Sequence, residues 1–296
     1  MSGLVYFNGM LKHEHEVSPW TLDRSYLYGE GLFETMKATR GFIPFLAEHL
    51  HRLFRGLDLL RMPIDLSASK LEFSLYQTLH HNRLKDAYLR LTLSRQNKEI
   101  GNFDAGDTVN LVVVAKALDK VAKKLYEDGA SAKVIEDFRI SPDPLCQVKS
   151  TNYLRNLLAQ RMAKEGGFDE AILLNAAGNL VEAATSNLFV FDGEKILTPS
   201  LSEGALPGVT RRVVLELLEK NYLGFEERPL KVSDLLTAQE AFLTSSLKEV
   251  LPLTRVNDKP IGRGVPGKET ERIAALFNEE KQYRIESFES KRWGVD

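Results

Sequence analysis

Leu46, Leu50, Leu53, Leu57 and Leu60 recur at intervals of three and four residues. That spacing lines one face of a helix over about residues 46–61. A helix with one apolar stripe must bury it against another element. Pro63 closes the run. Candidate partners stand on either side. Leu4 to Asn8, Ala87 to Leu93 and Val109 to Ala115 are rich in Val, Leu and Tyr and read as strands. Asn8-Gly9 turns the first of them into a second short strand. Residues 67–81 read as a second helix.

Residues 117–128 are polar, charged and weakly patterned, which suits a linker or a short helix. Helices follow at about 153–164, 208–220 and 268–280, and strands near 170–174, 188–191, 195–198, Phe225 and Ala241. The fold class expected is α+β. The division expected is a small α+β domain over 1–116, a linker over 117–124 and a large α+β domain over 125–296. The chain has 296 residues, 43% of them hydrophobic, enough for real cores without a disulfide or metal staple.

Charge and cysteine usage narrow the class. The net charge is −2, from 39 basic and 41 acidic residues, so neither nucleic acid nor an anionic membrane is an expected partner. Cys146 is the single cysteine, which fits a reducing compartment and reads as a small buried residue rather than a nucleophile. No basic leader opens the chain and no run of about 18 apolar residues occurs, so a cytoplasmic protein is expected. His13-Glu14-His15, His49-x-His51 and His80-His81 lack the spacing that sets two imidazoles on one helix face, so no metal is expected. Gly29-x-Gly31 is too short for a dinucleotide fingerprint.

Five stretches could carry chemistry. Lys149 stands among Cys146, Val148, Ser150, Thr151 and Asn152, just before a helix that those small polar residues could cap. A lysine drawn into an apolar pocket by a helix start loses its proton more easily and can form a Schiff base; a solvated loop lysine is the commoner case. Glu182 ends a strand-like run and reads either as a solvated acid or as a buried carboxylate facing a cation such as a pyridinium nitrogen. Gly208, Val209 and Thr210 open a helix whose free N–H groups could take a phosphate, though many such helix starts bind nothing. Arg52, on the leucine-striped helix, could hold a phosphate bidentately or make a surface ion pair. Ser245 and Ser246 end a strand and could bind an anion or simply form a turn.

The order of these stretches adds what none carries alone. "DRSYLYGEGLFET", "EHLHRL", "KSTNYLRN", "DEAILLNAAGNLVEAATSNLFVF", "TPSLSEGALPGVTR" and "TSSLKEVLPLTRVNDKPIG" follow one another between about residues 8 and 273. In this the chain resembles the class IV, or fold type IV, pyridoxal-phosphate enzymes: branched-chain aminotransferases, D-amino-acid aminotransferases and 4-amino-4-deoxychorismate lyases. The resemblance implies the two-domain α+β fold of the D-amino-acid aminotransferases, with pyridoxal 5'-phosphate in the cleft. It also implies a homodimer with the active site near the subunit interface. By the same resemblance Lys149 carries the cofactor and shuttles the proton, and Glu182 pairs with the pyridine nitrogen. Arg52, the Val209 and Thr210 amides, Ser245 and Ser246 hold the phosphate. Leu206 packs on the ring face, and Tyr153 and Asn187 lie beside the cofactor. Tyr28, Phe33, Thr35, Arg90 and Arg95 are the substrate-side candidates.

The family members divide on small differences. "GLFETMK" places Thr35 and Lys37 where the branched-chain enzymes read FEG-I-R, and is more like the lyases. "AYLRLTL" resembles the Tyr-x-Arg of branched-chain enzymes through Tyr88 and Arg90. The Arg-x-His of the D-amino-acid enzymes is missing from "SRQNKEIGNF", which offers Arg95 and Lys98. The lyase is the favoured reading, and a branched-chain or D-amino-acid aminotransferase is the alternative. A noncatalytic binding protein on the same fold is more remote, because Lys149, Glu182 and Arg52 are all present.

Overall fold

The computed structural model describes residues 3–17, 23–62, 65–95, 108–119 and 123–293. Pro63, Lys98 and residues 120–122 of the expected linker lie outside the described residues. Contacts divide the chain into two compact units. The first takes residues 1–119, 148–153 and 284–296, and the second takes 120–147 and 154–283. The division expected from the sequence ran in chain order. By contact, the six residues around Lys149 and the C-terminal turns group with the first unit.

The first unit contains β1 (Leu4–Phe7), β2 (Met10–His13), α1 (Arg24–Tyr28), β3 (Gly31–Ala38), α2 (Leu46–Leu59), α3 (Ala68–His81), β4 (Ala87–Arg95) and β5 (Val109–Ala117). Its strands form one antiparallel sheet in the order β2-β1-β5-β4-β3. Leu46, Leu50, Leu53 and Leu57 of α2 are buried in one core with Leu71, Leu75 and Leu79 of α3 and Leu89, Leu91 and Leu93 of β4. Leu60, past the helix end, packs against that core from its rim. Ser67 caps α3 by accepting the Lys70 N–H.

Strand alternation sorts β3 onto two faces. Leu32, Glu34, Met36 and Ala38 are fully buried on the helix side. Phe33, Thr35 and Lys37 lie on the other face, opposite Thr92, Arg90 and Tyr88 of β4. Sequence reading missed β3, because Glu34 interrupts an otherwise apolar alternation.

The residues around Lys149 extend the open edge of β3. The Phe33 N–H donates to the Lys149 carbonyl at 3.0 Å, and the Thr151 N–H to the Gly31 carbonyl at 2.8 Å. The Thr151 hydroxyl adds a bond to the Gly29 carbonyl at 2.9 Å. Gly31 has to be glycine here, since a Cβ would stand 2.8 Å from Ser25 Cβ and 3.0 Å from both the Leu93 carbonyl and the Thr151 hydroxyl.

The second unit contains α4 (Lys123–Glu127), β6 (Ala130–Ile140), α5 (Leu154–Glu165), β7 (Glu170–Asn175), β8 (Leu180–Ala183), β9 (Asn187–Phe191), β10 (Ile196–Thr198), α6 (Val209–Lys220), β11 (Phe225–Glu227), α7 (Val232–Thr237), β12 (Glu240–Ser245), β13 (Glu249–Val256) and β14 (Lys259–Pro260). The first turns of α8 (Lys268–Trp293) also belong to it. Its sheet runs β11-β10-β9-β12-β13-β6-β7-β8, with β14 paired to β13. β6 lies parallel to both β13 and β7, and a register shift between Ile135 and Arg139 bends it. That irregularity broke the period-2 pattern and hid β6 from sequence reading.

The helix expected over 268–280 runs on to Trp293. Its last turns are charged and weakly patterned, so contacts rather than periodicity sustain them. Phe288 stacks on Phe42 with ring centroids 4.6 Å apart, and Arg284 donates to Glu48 at 2.6 Å, all within the first unit. Among the described residues no helix is long and apolar enough to cross a membrane, and no cluster of His, Cys, Asp or Glu could hold a metal ion. Cys146 is half-buried; burial pushes its thiol up, and the thiol donates to the Ser141 carbonyl.

Candidate active site

In the first unit the chemistry gathers at the edge strand β3. Lys149 Nζ lies 4.5 Å from the Phe33 ring centroid and 5.7 Å from that of Tyr153. The two rings meet edge to face at 5.6 Å. The Arg90 guanidinium lies 3.7 Å from the same Phe33 centroid, and its Nε donates to Thr92 Oγ1 at 3.3 Å. An aromatic face attracts a cation without neutralising it. Among the described residues no carboxylate pairs with Arg90. Thr35 is its cross-strand neighbour.

Behind β3, on the helix side, sits a buried charged cluster. Arg52 Nε and Nη2 donate to the two oxygens of Glu34 at 2.8 and 2.5 Å. His49 Nδ1 lies 2.7 Å from Glu34 Oε2. Burial alone would raise the Glu34 carboxyl, but the Arg52 charge and the His49 and Arg52 hydrogen bonds outweigh it and hold it at about 2. Burial pushes His49 below its ordinary value against the pull of Glu34, and the Arg52 and Lys149 charges push the same way. Sequence reading treated His49 only as a metal candidate and gave Glu34 no role. A lone acid inside an apolar alternation was the available signal.

The other substrate-side candidates are less open. Arg95 pairs with Glu30 at 3.3 Å and donates from Nη2 to the Arg61 carbonyl at 2.7 Å, with its side chain 12% exposed. Its fork is already committed to the fold, unlike that of Arg90. Tyr28 ends α1 and carries the Arg24 guanidinium 5.1 Å from its ring centroid, while Arg24 itself pairs with Glu30.

In the second unit the groups are of another kind. Glu182, on β8, accepts at Oε2 from Asn187 Nδ2 at 3.0 Å and from the Leu206 N–H at 3.1 Å. Asn187 Nδ2 also donates to the Leu206 carbonyl at 2.9 Å. Glu182 is therefore held as an acceptor by a strand-end amide and a loop. Gly208 caps α6, and a Cβ there would stand 1.9 Å from Asn187 Oδ1. Only glycine lets the helix start come this close to the asparagine. Val209 and Thr210 follow as the first buried helical residues.

Asn187 is the register partner of Thr244, whose buried Oγ1 has no hydrogen-bond partner. Ser245 and Ser246 come next, and Ser245 Oγ accepts the Lys248 N–H at 3.3 Å. The donor set suits pyridoxal phosphate. An amine can take its aldehyde, a fixed carboxylate its ring nitrogen, and a helix start with hydroxyls its phosphate.

Comparison with known proteins shows the family. The family profile described as Amino-transferase class IV matches residues 31–256. A putative branched-chain-amino-acid aminotransferase of Methanocaldococcus jannaschii is 32% identical over 93% of this chain and 95% of its own. A D-alanine aminotransferase of Bacillus licheniformis is 31% identical over 93% and 96%. An aminodeoxychorismate lyase of Bacillus subtilis is 30% identical over 98% and 99%. The T.th. branched-chain amino acid aminotransferase, complexed with N-(5'-phosphopyridoxyl)-L-glutamate, superposes with a TM-score of 0.85 at 25% identity, over 94% of this chain and 93% of that one. The chain belongs to the class IV aminotransferases, a family of pyridoxal-phosphate-dependent enzymes.

Proposed function

We propose that this protein acts on amino-acid-like substrates through Lys149, and that its reaction is that of a 4-amino-4-deoxychorismate lyase, which eliminates pyruvate to leave 4-aminobenzoate. The observation that carries the reading is the placement of Lys149 Nζ and the Arg90 guanidinium on one aromatic ring, Phe33. Pyridoxal phosphate, when bound, draws electrons from the carbon beside the substrate amine and makes its proton acidic. Lys149 Nζ takes that proton and returns it. Arg90 binds a substrate carboxylate, which its fork can grip bidentately.

Glu182 keeps the pyridine nitrogen protonated, and Asn187 with the Leu206 N–H keeps Glu182 in place. Val209, Thr210, Ser245 and Ser246 hold the phosphate, and Arg52, whose Nε and Nη2 donate to Glu34, contributes only through the remainder of its guanidinium. Leu206 covers the ring, Tyr153 and Phe33 exclude water around Lys149, and Tyr28 and Thr35 line the substrate side. Arg95 takes no part, because Glu30 and the Arg61 carbonyl occupy it.

Thr35 and Lys37 support the lyase because "GLFETMK" is more like the lyases than the FEG-I-R of the branched-chain enzymes, and in the register they stand opposite Arg90 and Tyr88. The Tyr88-x-Arg90 pair itself favours a second reading, a branched-chain aminotransferase. A homodimer goes with either reading, supported by Leu154, Leu157 and Leu158 exposed on α5.

One experiment separates the reactions. The absorption of the protein-bound cofactor is followed as single L- and D-amino acids are added without a keto acid, and pyruvate release from aminodeoxychorismate is assayed alongside. Pyruvate release with no amino acid bleaching the cofactor band is the expected result. Bleaching by one stereoisomer makes the protein an aminotransferase and gives its handedness. A protein that takes up no cofactor overturns both readings.

A further inference from the structure

Glu170, at the start of β7, has no part in the roles above, yet it is 1% exposed. Its Oε2 accepts from Lys248 Nζ at 2.7 Å, Thr185 Oγ1 at 2.7 Å and Ser186 Oγ at 3.3 Å. Lys248 Nζ also donates to Thr185 Oγ1 at 3.2 Å. Glu170 Oε1 is buried and has no hydrogen-bond partner. A buried carboxylate with one oxygen unsatisfied is costly, and an apolar residue would pack there more cheaply. Packing alone does not account for it.

The three donors come from two turns. Thr185 and Ser186 join β8 to β9, directly before Asn187. Lys248 lies with Ser246 in the turn between β12 and β13, just after Ser245 ends β12, and its own N–H donates to Ser245 Oγ. Glu170 thus anchors the serine turn to the strand end that presents Asn187. The Lys248 side chain is 25% exposed, so it reaches inward from a surface turn to make this contact.

We propose that Glu170 and Lys248 are a positioning pair for the cofactor's phosphate: their ion pair holds the turn 245–248 in the one conformation that presents the serine hydroxyls and amides to it. This rests on the cofactor reading given above. Preorganised donors bind an anion better than donors that must first be ordered, so loosening the turn weakens the phosphate end selectively.

The test uses apo-protein of the wild type, Glu170→Gln and Lys248→Met, titrated with pyridoxal phosphate and separately with pyridoxal, which lacks the phosphate. Melting of each apo-protein is measured in parallel. The preference for pyridoxal phosphate over pyridoxal is expected to fall about tenfold in each variant, the scale of one charge-assisted hydrogen-bonded contact. The double variant should lose no more than either single one, since both remove the same pair.

A merely structural role would lower apo-protein melting and leave that preference within about twofold of wild type, which overturns the proposal. If Glu170→Gln fails to fold, Lys248→Met decides alone, because it alters a partly exposed turn residue. Wild-type protein that binds neither compound overturns the cofactor reading itself, and the wild-type titration distinguishes that failure from this one.

Discussion

The first unit sets two basic side chains, Lys149 and Arg90, against an aromatic face, while the second holds an acceptor, Glu182, with amide donors beside a helix start. The contrast is one of bonding. A ring face orients a guanidinium and leaves it able to grip a carboxylate, and it does not neutralise a lysine, which must shed its proton before it can act as a base. A carboxylate fixed by two N–H donors stays an acceptor for whatever proton faces it. In the proposed reading the first unit supplies the lysine that moves the proton and the arginine that binds substrate, and the second supplies most of the groups that hold the cofactor.

The sharpest break of that contrast is Lys149→Ala. Turnover should fall about a thousandfold or more, as expected when the group that moves the proton is lost. Cofactor uptake should persist without a covalent link, read as bound cofactor that borohydride no longer fixes to the chain. Loss of all uptake would mean that the groups proposed to hold the cofactor cannot do so without the covalent link.

Arg90→Met is next. KM should rise about a hundredfold while kcat changes much less, on the scale of one charged hydrogen-bonded pair. Arg90→Lys should recover little, because an ammonium lacks the planar fork. An unchanged KM would remove Arg90 from the substrate site.

Glu34→Gln tests whether the cluster behind β3 is structural support. It leaves the Arg52 charge buried without its partner and should cost about 3 kcal/mol or more, measured by urea unfolding at neutral pH. Acid should erase the difference from wild type. The Glu34 carboxyl is depressed from an ordinary 4.5 to about 2, so its stabilisation is complete above 4.5 and is lost as pH falls toward 2. His49 is also depressed, so its contribution is present above its ordinary 6.5 and fades as pH drops through its lower folded value. Both act in the same direction. A gap between the two proteins that widens on acidification would contradict the assignment.

Arg95→Met should show the smallest functional effect, with turnover and KM within about threefold of wild type and stability lowered by about 2 kcal/mol for its lost charged hydrogen bonds. A large rise in KM would return Arg95 to the substrate side and weaken the distinction drawn between the two arginines of β4.

Much of this was legible in the residues themselves. The leucines of α2, the valine-rich strands and the helix after Gly208 follow from local spacing, because burial of one face imposes a period that the chain must repeat. Lys149 stood out by its small, uncharged neighbours. The strands β3 and β6 did not stand out. In β3 a buried acid breaks the apolar pattern, and in β6 a register shift does.

Residue type and spacing, then, determined the α+β class and singled out Lys149 as a candidate, and the resemblance of the ordered motifs gave the family. Which cation is committed and which is open was decided only by the tertiary structure. Arg90 and Arg95 lie on the same strand and read alike, but Glu30 from the α1–β3 loop and the carbonyl of Arg61 beyond α2 close on one and not the other. Glu34 and Glu170 became visible as anchors in the same way. Their partners lie 15 to 78 residues away in the chain, and no local pattern encodes a contact that only packing creates.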